Sequence, residues 1–337
     1  MPSAPLLSRR QLLPALALAA ASPTLALAQA SGQVVLYTSL NAQSVDAATQ
    51  VARKAVPMVK LSAVTGGSLP LLRRLEAEAA RPQGDVYWTS SANVMAGFKP
   101  FFEPYESPEA AAIPAEWHEP GKLWVAANTH VVVAMLNTKR LDGKPPQTWA
   151  DLTDPKYRGK IIIADPGNSS TAFTALWVIE QALGREGLKK IAANTTVSSA
   201  ASNVVRSVGQ GEYAVGITFE STAYPYVAGG QREIKLMYPK DGTAVVQDNI
   251  ALVKNAPNMA AAKKVYDMLL SREAQIALLE NAYRRPSRKD IDVTQYADMP
   301  PLSAIKVLPT DEAKATAEQA AFLARWQGYL AAARNGS

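Results

Sequence analysis

A short β-branched run that opens into a hydroxyl-rich turn and then into a helical stretch recurs along this chain, and that repetition restricts the fold it can adopt. The fullest case lies in residues 154–176. Lys160-Ile161-Ile162-Ile163-Ala164, β-branched after a polar start, reads as a strand, Asp165-Pro166-Gly167 as a turn, and apolar residues return at helical spacing from Thr171 onward. The turn delivers Asn168, Ser169, Ser170 and Thr171 to the first turn of a helix. Backbone N–H groups there lack intrahelical partners and the dipole end is positive, so such a place holds an anion without a charged side chain. The same residue types are favoured helix caps, and a well-capped helix accounts for them equally.

The construction returns at 34–37, followed by Thr38, Ser39 and Asn41; at 86–88, followed by Thr89, Ser90 and Ser91; and at 195–197, followed by Ser198, Ser199, Ser202 and Asn203. Ligands of open α/β sheets sit beyond the carboxyl ends of the strands. Ser39, Ser90, Ser91, Asn203 and the 168–171 turn are therefore expected to face one cleft. Runs at 33–40, 58–64 and 84–88 alternate with helical patterns at 43–54 and 69–79, which predicts βαβαβ and a largely parallel sheet. The apolar stretch 123–136 is broken by Asn128-Thr129-His130, and two strands joined by a polar bend are expected there, crossing between domains. The remainder alternates again through 213–219 and 250–253, then becomes helical at 259–270, 273–279 and, as a long amphipathic finish, 310–333. A length of 337 residues suits two domains.

The amino terminus carries an address. Arg9-Arg10 precedes an uncharged apolar stretch, and Ala28-Gln29-Ala30 offers a small-x-small cleavage site, the pattern of a twin-arginine signal peptide over 1–30. Pro14, Ser22, Pro23 and Thr24 interrupt that stretch too often for it to span a bilayer. Cleavage after Ala30 and a soluble periplasmic product are expected. Cysteine is absent, which excludes disulfides, a thiol nucleophile and a lipidated anchor. Of the net charge of +6, Arg9 and Arg10 supply two, leaving +4 on the exported chain, a mild attraction for small anions. The Lys and Arg residues are dispersed, so no nucleic-acid partner is expected.

Catalytic motifs are missing. His118 and His130 are the two histidines, neither near an acidic motif, and both read as structural. No zinc helix, phosphate-binding P-loop or nucleophile elbow is present. No enzyme activity, metal or cofactor is expected, and the chain points to binding.

Several segments carry a family resemblance: Val35-Leu36-Tyr37-Thr38-Ser39, Trp149-Ala150-Asp151-Leu152, Pro155-Lys156-Tyr157-Arg158-Gly159-Lys160-Ile161, Gly211-Glu212-Tyr213-Ala214-Val215-Gly216-Ile217, and Leu270-Ser271-Arg272-Glu273-Ala274-Gln275. In these the chain resembles the periplasmic solute-binding proteins of ABC importers, in the branch with ferric-iron, sugar-phosphate and 2-aminoethylphosphonate binders. The resemblance implies an α/β fold of the two-lobed, type 2 periplasmic binding protein kind, with a hinge and an interlobe ligand cleft. It places 32–125 plus 256–337 in one lobe and 126–255 in the other, and implies a monomer that hands its solute to an inner-membrane permease.

Iron-binding relatives carry a tyrosine pair where Glu220-Ser221 stands here, so the pattern departs from theirs. The 168–171 turn looks like the loop that binders of phosphate-bearing solutes present. The expected ligand is a small anion, an organophosphonate such as 2-aminoethylphosphonate or a phosphate ester, with Glu220 and Asp248 pairing an ammonium or hydroxyl at its other end. Arg284-Arg285-Pro286 falls where relatives place a cleft-lining segment. A ferric-iron binder with an altered ligand set, an exported enzyme on the same fold and a sensor subunit are the competing readings.

Overall fold

The structure, a computed structural model, describes residues 32–335; the leader and cleavage site expected over 1–30 lie outside them. The chain opens as β1 (Gly32–Thr38), α1 (Ala42–Ala55), β2 (Val59–Thr65), α2 (Ser68–Ala77) and β3 (Val86–Trp88), with β1 parallel to both β2 and β3. Helix α1 forms where the sequence allows: Asn41 caps it by accepting from Ser44 N at 3.0 Å, and Ser44, Ala47, Ala48, Val51 and Ala52 line its buried face. Short α3 (Ala92–Ala96) and β4 (Phe102–Glu103) lead to the long β5 (Val125–Asn137).

A second alternation follows: β6 (Ile161–Ala164), α4 (Ser170–Asn194), β7 (Thr195–Ser198), α5 (Ala201–Gly209), β8 (Val215–Phe219), α6 (Glu220–Ala228) and β9 (Ile234–Met237), with β6 parallel to β7 and β8. Helix α4 is broken at Gly184, whose φ of 70° no helix accommodates. Strand β10 (Val245–Val253) then returns toward the first half, followed by α7 (Met259–Leu270), α8 (Arg272–Ala282), β11 (Arg285–Pro286) and α9 (Glu312–Asn335). The strands run β2-β1-β3-β10-β5-β8-β6-β7.

The link between the halves is β5. Its first half pairs with β10 and β11 and its second half with β8 and β9, all antiparallel. The expected bend at Asn128-Thr129-His130 does not exist, because β5 is one strand buried along its whole length. Asn128 is tolerated there because its amide has partners: Oδ1 accepts from Trp88 Nε1 at 3.2 Å, and Nδ2 donates to Asp248 at 3.2 Å.

Two large apolar cores flank β5. One gathers Val34, Leu36, Trp88, Ile250, Leu252 and Leu269; the other gathers Met135, Ile163, Trp177 and Val215. Helix α9 joins the second core. Phe322 stands 5.5 Å from the rings of both Phe173 and Trp177, and Arg325 pairs with Glu180 at 2.9 Å. The assignment of all of 256–337 to the first lobe thus meets a difference at its end. The aromatic face of α9 is buried where α4 offers aromatic partners, and sequence separation gives no hint of that. None of the helices among the described residues is long and apolar enough to cross a membrane.

Candidate functional site

Where β5 and β10 cross, a cavity of about 210 Å³ opens between the two halves. Its wall is mostly hydroxyl. Ser39 follows β1, Ser68 opens α2, and Thr89, Ser90 and Ser91 follow β3. Ser170, Thr171 and Thr174 come from the start of α4, and Ser221 and Thr222 from the start of α6. Several helix beginnings and strand exits therefore meet at one small volume, and helix beginnings favour negative charge.

The hydroxyls are ordered by one another. Ser39 Oγ lies 2.5 Å from Thr89 Oγ1, Ser68 Oγ donates to Ser39 Oγ at 3.1 Å, and Tyr87 OH lies 2.7 Å from Ser90 Oγ. Ser90 adopts φ of 79°, a left-handed conformation uncommon for a serine. It is held there because its carbonyl accepts from both the backbone N and the Nδ2 of Asn249, each at 3.0 Å.

The charged floor is built from β5, β10 and the segment after α8. His130 Nε2 lies 2.5 Å from Asp248 Oδ2, and His130 Nδ1 lies 3.1 Å from Ser221 Oγ. Nε2 is thus the ring nitrogen that meets the Asp248 carboxylate, and Nδ1 the one that meets the Ser221 hydroxyl. Arg284 reaches in from the turn between α8 and β11, the strand that pairs with β5 at Asn128 and Thr129. Its Nη1 stands 2.7 Å from His130 Nε2 and 3.3 Å from Asp248 Oδ2, while its Nε donates to Ser44 Oγ at 3.1 Å. Phe219 stacks on the imidazole at 4.9 Å. Burial alone would raise the Asp248 carboxyl, but its interaction with His130, the Arg284 charge and the Asn128 bond prevail and hold it down to about 2. Burial also lowers the Arg284 guanidinium, against the pull of Asp248.

Of the residues singled out from the sequence, Ser39, Ser90, Ser91, Ser170, Thr171 and Asp248 line this cavity. Asn168 and Ser169 do not. Asn168 Nδ2 closes the turn onto Asp165 at 3.1 Å, and Ser169 caps α4 through Ala172 N at 3.3 Å, so they serve the local structure. Asn203 borders a separate shallow depression with Thr196, Ser198 and Gln210, and accepts from Arg206 Nη2 at 2.6 Å. Glu220 is turned away and 1% exposed, in a two-pronged ion pair with the equally buried Arg285, with Tyr238 OH donating to the same carboxylate. Burial opposes the Arg285 charge, yet the Glu220 bond and charge raise its pKa.

Sequence reasoning read His130 as structural and gave Arg284 little weight, although both line the cavity. His130 carried no motif, and Arg284 is distinguishable from Arg285 only once the backbone after α8 is placed. Ser221 and Thr222 were within reach, since they follow β8 as Thr89 and Ser90 follow β3.

Known proteins resemble this chain in sequence and in fold. The family described as bacterial extracellular solute-binding protein matches residues 89–316. An uncharacterized protein of Haemophilus influenzae is 28% identical over 320 residues, 89% of this chain and 91% of that one. A Salmonella typhimurium protein, provisionally named 2-aminoethylphosphonate-binding periplasmic protein, is 25% identical over 251 residues, 68% of this chain and 69% of its own. Among solved structures, the periplasmic binding protein AfuA from Actinobacillus pleuropneumoniae with fructose-6-phosphate bound superposes with a TM-score of 0.75 at 27% identity, covering 89% of this chain and 98% of AfuA.

Proposed function

The chain belongs to the bacterial extracellular solute-binding protein family, and from that premise we propose that it is the periplasmic, monomeric capture component of an ABC importer for a small anionic solute. The α/β periplasmic binding protein fold is shared with AfuA, and the role of the family is binding, not catalysis. The proposed solute is an organophosphonate such as 2-aminoethylphosphonate, or a phosphate ester.

One observation carries this reading: a ring of serine and threonine hydroxyls at converging helix starts surrounds a cavity of about 210 Å³ whose cation is Arg284. Hydroxyls and N–H dipoles donate to a phosphoryl or phosphonyl group, and a guanidinium adds a charge-assisted bond. The ionised Asp248 supplies an acceptor for a hydroxyl or ammonium at the other pole. The volume limits the occupant to a small molecule, because drug-sized ligands occupy roughly 300 Å³ or more. The donor set favours an anion over ferric iron, which takes hard anionic oxygens and would meet mainly neutral hydroxyls here. The relatives named for 2-aminoethylphosphonate and crystallised with fructose-6-phosphate support the same chemistry. Part of the reading is a division into two lobes that close on the solute about the β5 and β10 crossing.

Thermal unfolding with 2-aminoethylphosphonate, sugar phosphates, inorganic phosphate, polyamines and ferric citrate tests it. A solute at about 100 times its Kd stabilises by roughly 2.7 kcal/mol, enough to move the midpoint by several degrees. A shift with a phosphorus compound is expected; a shift with iron alone would replace the anion reading with the iron one.

A further inference from the structure

Arg284 enters the cavity from a turn of two residues, Tyr283 and Arg284, between α8 and β11. Tyr283 is left-handed, with φ of 53° and ψ of 32°, where helix ends ordinarily place glycine or asparagine. A bulky residue in that region is an outlier that the surrounding structure must hold. The conformation closes α8: Tyr283 N donates to Leu279 O at 3.0 Å and Arg284 N to Leu278 O at 3.2 Å. It also fixes the direction in which the next side chain leaves the backbone, and that side chain is the cation of the cavity.

Helix α6 supplies what holds it. The Tyr283 ring lies 4.8 Å from that of Tyr224, inclined by 56°, in a small apolar cluster with Leu279 and Val227. Tyr224 and Glu220 are four residues apart and therefore on one face of α6. Tyr224 meets the residue before Arg284, and Glu220 meets the residue after it, Arg285. Ser221 and Thr222 of the same helix line the cavity. One helix thus grips the chain on both sides of Arg284 and presents hydroxyls to the space into which Arg284 reaches.

Resting on the anion reading of the cavity, we propose that Tyr283 is a positioning residue for solute binding, one that acts through Arg284 and does not touch the solute. Tyr283 itself does not line the cavity. The Tyr224 ring keeps Tyr283 in the left-handed region, and Tyr283 keeps the guanidinium aimed at His130 and Asp248 before a solute arrives. Preorganisation of this kind raises affinity, because the solute need not immobilise a long side chain as it binds. The Glu220–Arg285 pair has a different part. It is buried and secures the chain after Arg284, whereas the backbone angles that aim Arg284 belong to Tyr283.

Titration calorimetry on the purified exported protein tests the inference, with 2-aminoethylphosphonate, fructose-6-phosphate and inorganic phosphate as probes. Tyr283→Gly keeps the left-handed turn and removes the ring, so the affinity of whichever probe binds should fall roughly two- to tenfold. Tyr283→Phe keeps the ring and should bind as the parent does. Combined with Arg284→Ala, Tyr283→Gly should cost nothing further, because the group it positions is already gone. Tyr283→Asn, which also tolerates the left-handed region, takes the place of the glycine variant if that does not fold. Undiminished binding by Tyr283→Gly, an equal loss in Tyr283→Phe, or a full additional loss on top of Arg284→Ala each overturns the positioning role while the anion reading stands. If the parent binds none of the three probes, the anion reading itself falls, and the positioning role with it.

Discussion

The pair Glu220–Arg285 separates two roles that one carboxylate could have, and Glu220→Gln tells them apart. The side chains are both 1% exposed. Arg285 Nη2 donates to Glu220 Oε1 at 2.7 Å and Nε to Oε2, while Nη1 is buried with no partner in the protein. Glutamine keeps the size and one acceptor but removes the charge, so the guanidinium is left buried with only a neutral amide and the Tyr238 hydroxyl beside it. Breaking a buried pair from one side costs about 3–5 kcal/mol, because the partner charge is stranded. In a chain of this length 1 kcal/mol moves the melting midpoint by about 2 °C, so the midpoint should fall by roughly 6–10 °C. Differential scanning calorimetry reads this, and calorimetric titration well below the midpoint should find solute affinity of the same order as in the parent. The double variant Glu220→Met, Arg285→Met should cost less than the two single changes together, since neither charge is then stranded. An unchanged midpoint with a large loss of solute affinity would refute the reasoning and return Glu220 to the solute.

Arg284→Ala removes the cation of the cavity, and anion affinity should fall about 10- to 100-fold, the worth of hydrogen bonds to a charged group, as measured by titration calorimetry. Asp248, depressed from 3.8 to about 2, contributes stability that is fully present above pH 4 and is lost as pH falls from about 4 to about 2. Acid unfolding followed by circular dichroism should therefore show a loss of about 2 kcal/mol across that window, and Asp248→Asn should flatten it. The double change Arg9→Lys, Arg10→Lys should keep the protein in the cytoplasm; a normal periplasmic yield in fractionated cells would refute the twin-arginine route.

Much of the fold was legible because its signals are local. The strand, hydroxyl and helix triplets fall at β1, β3 and β6. Strand β5 defeated the reading because Asn128 and His130 look like a bend until β10 and Arg284 arrive to pair with them. Helix α9 defeated it differently. Its amphipathic pattern predicts a helix with a buried face, but a pattern cannot say which of two cores receives that face.

In the cavity the same division holds. The chemistry on offer is written in the chain: hydroxyls and helix starts at strand exits, no cysteine, and no catalytic motif. Which of those groups meet is settled by the packing of distant segments. Ser39, Ser90 and Ser170 converge although they belong to different βα units, whereas Asn203, with the same local signature, borders another depression. Adjacent Arg284 and Arg285 part company, one reaching Asp248 in the cavity wall and the other buried on Glu220. Periodicity and turn chemistry act over a few residues, so they are written in the chain. Convergence depends on strand order and on the direction each side chain takes from its backbone, and these are fixed only when distant segments pack together.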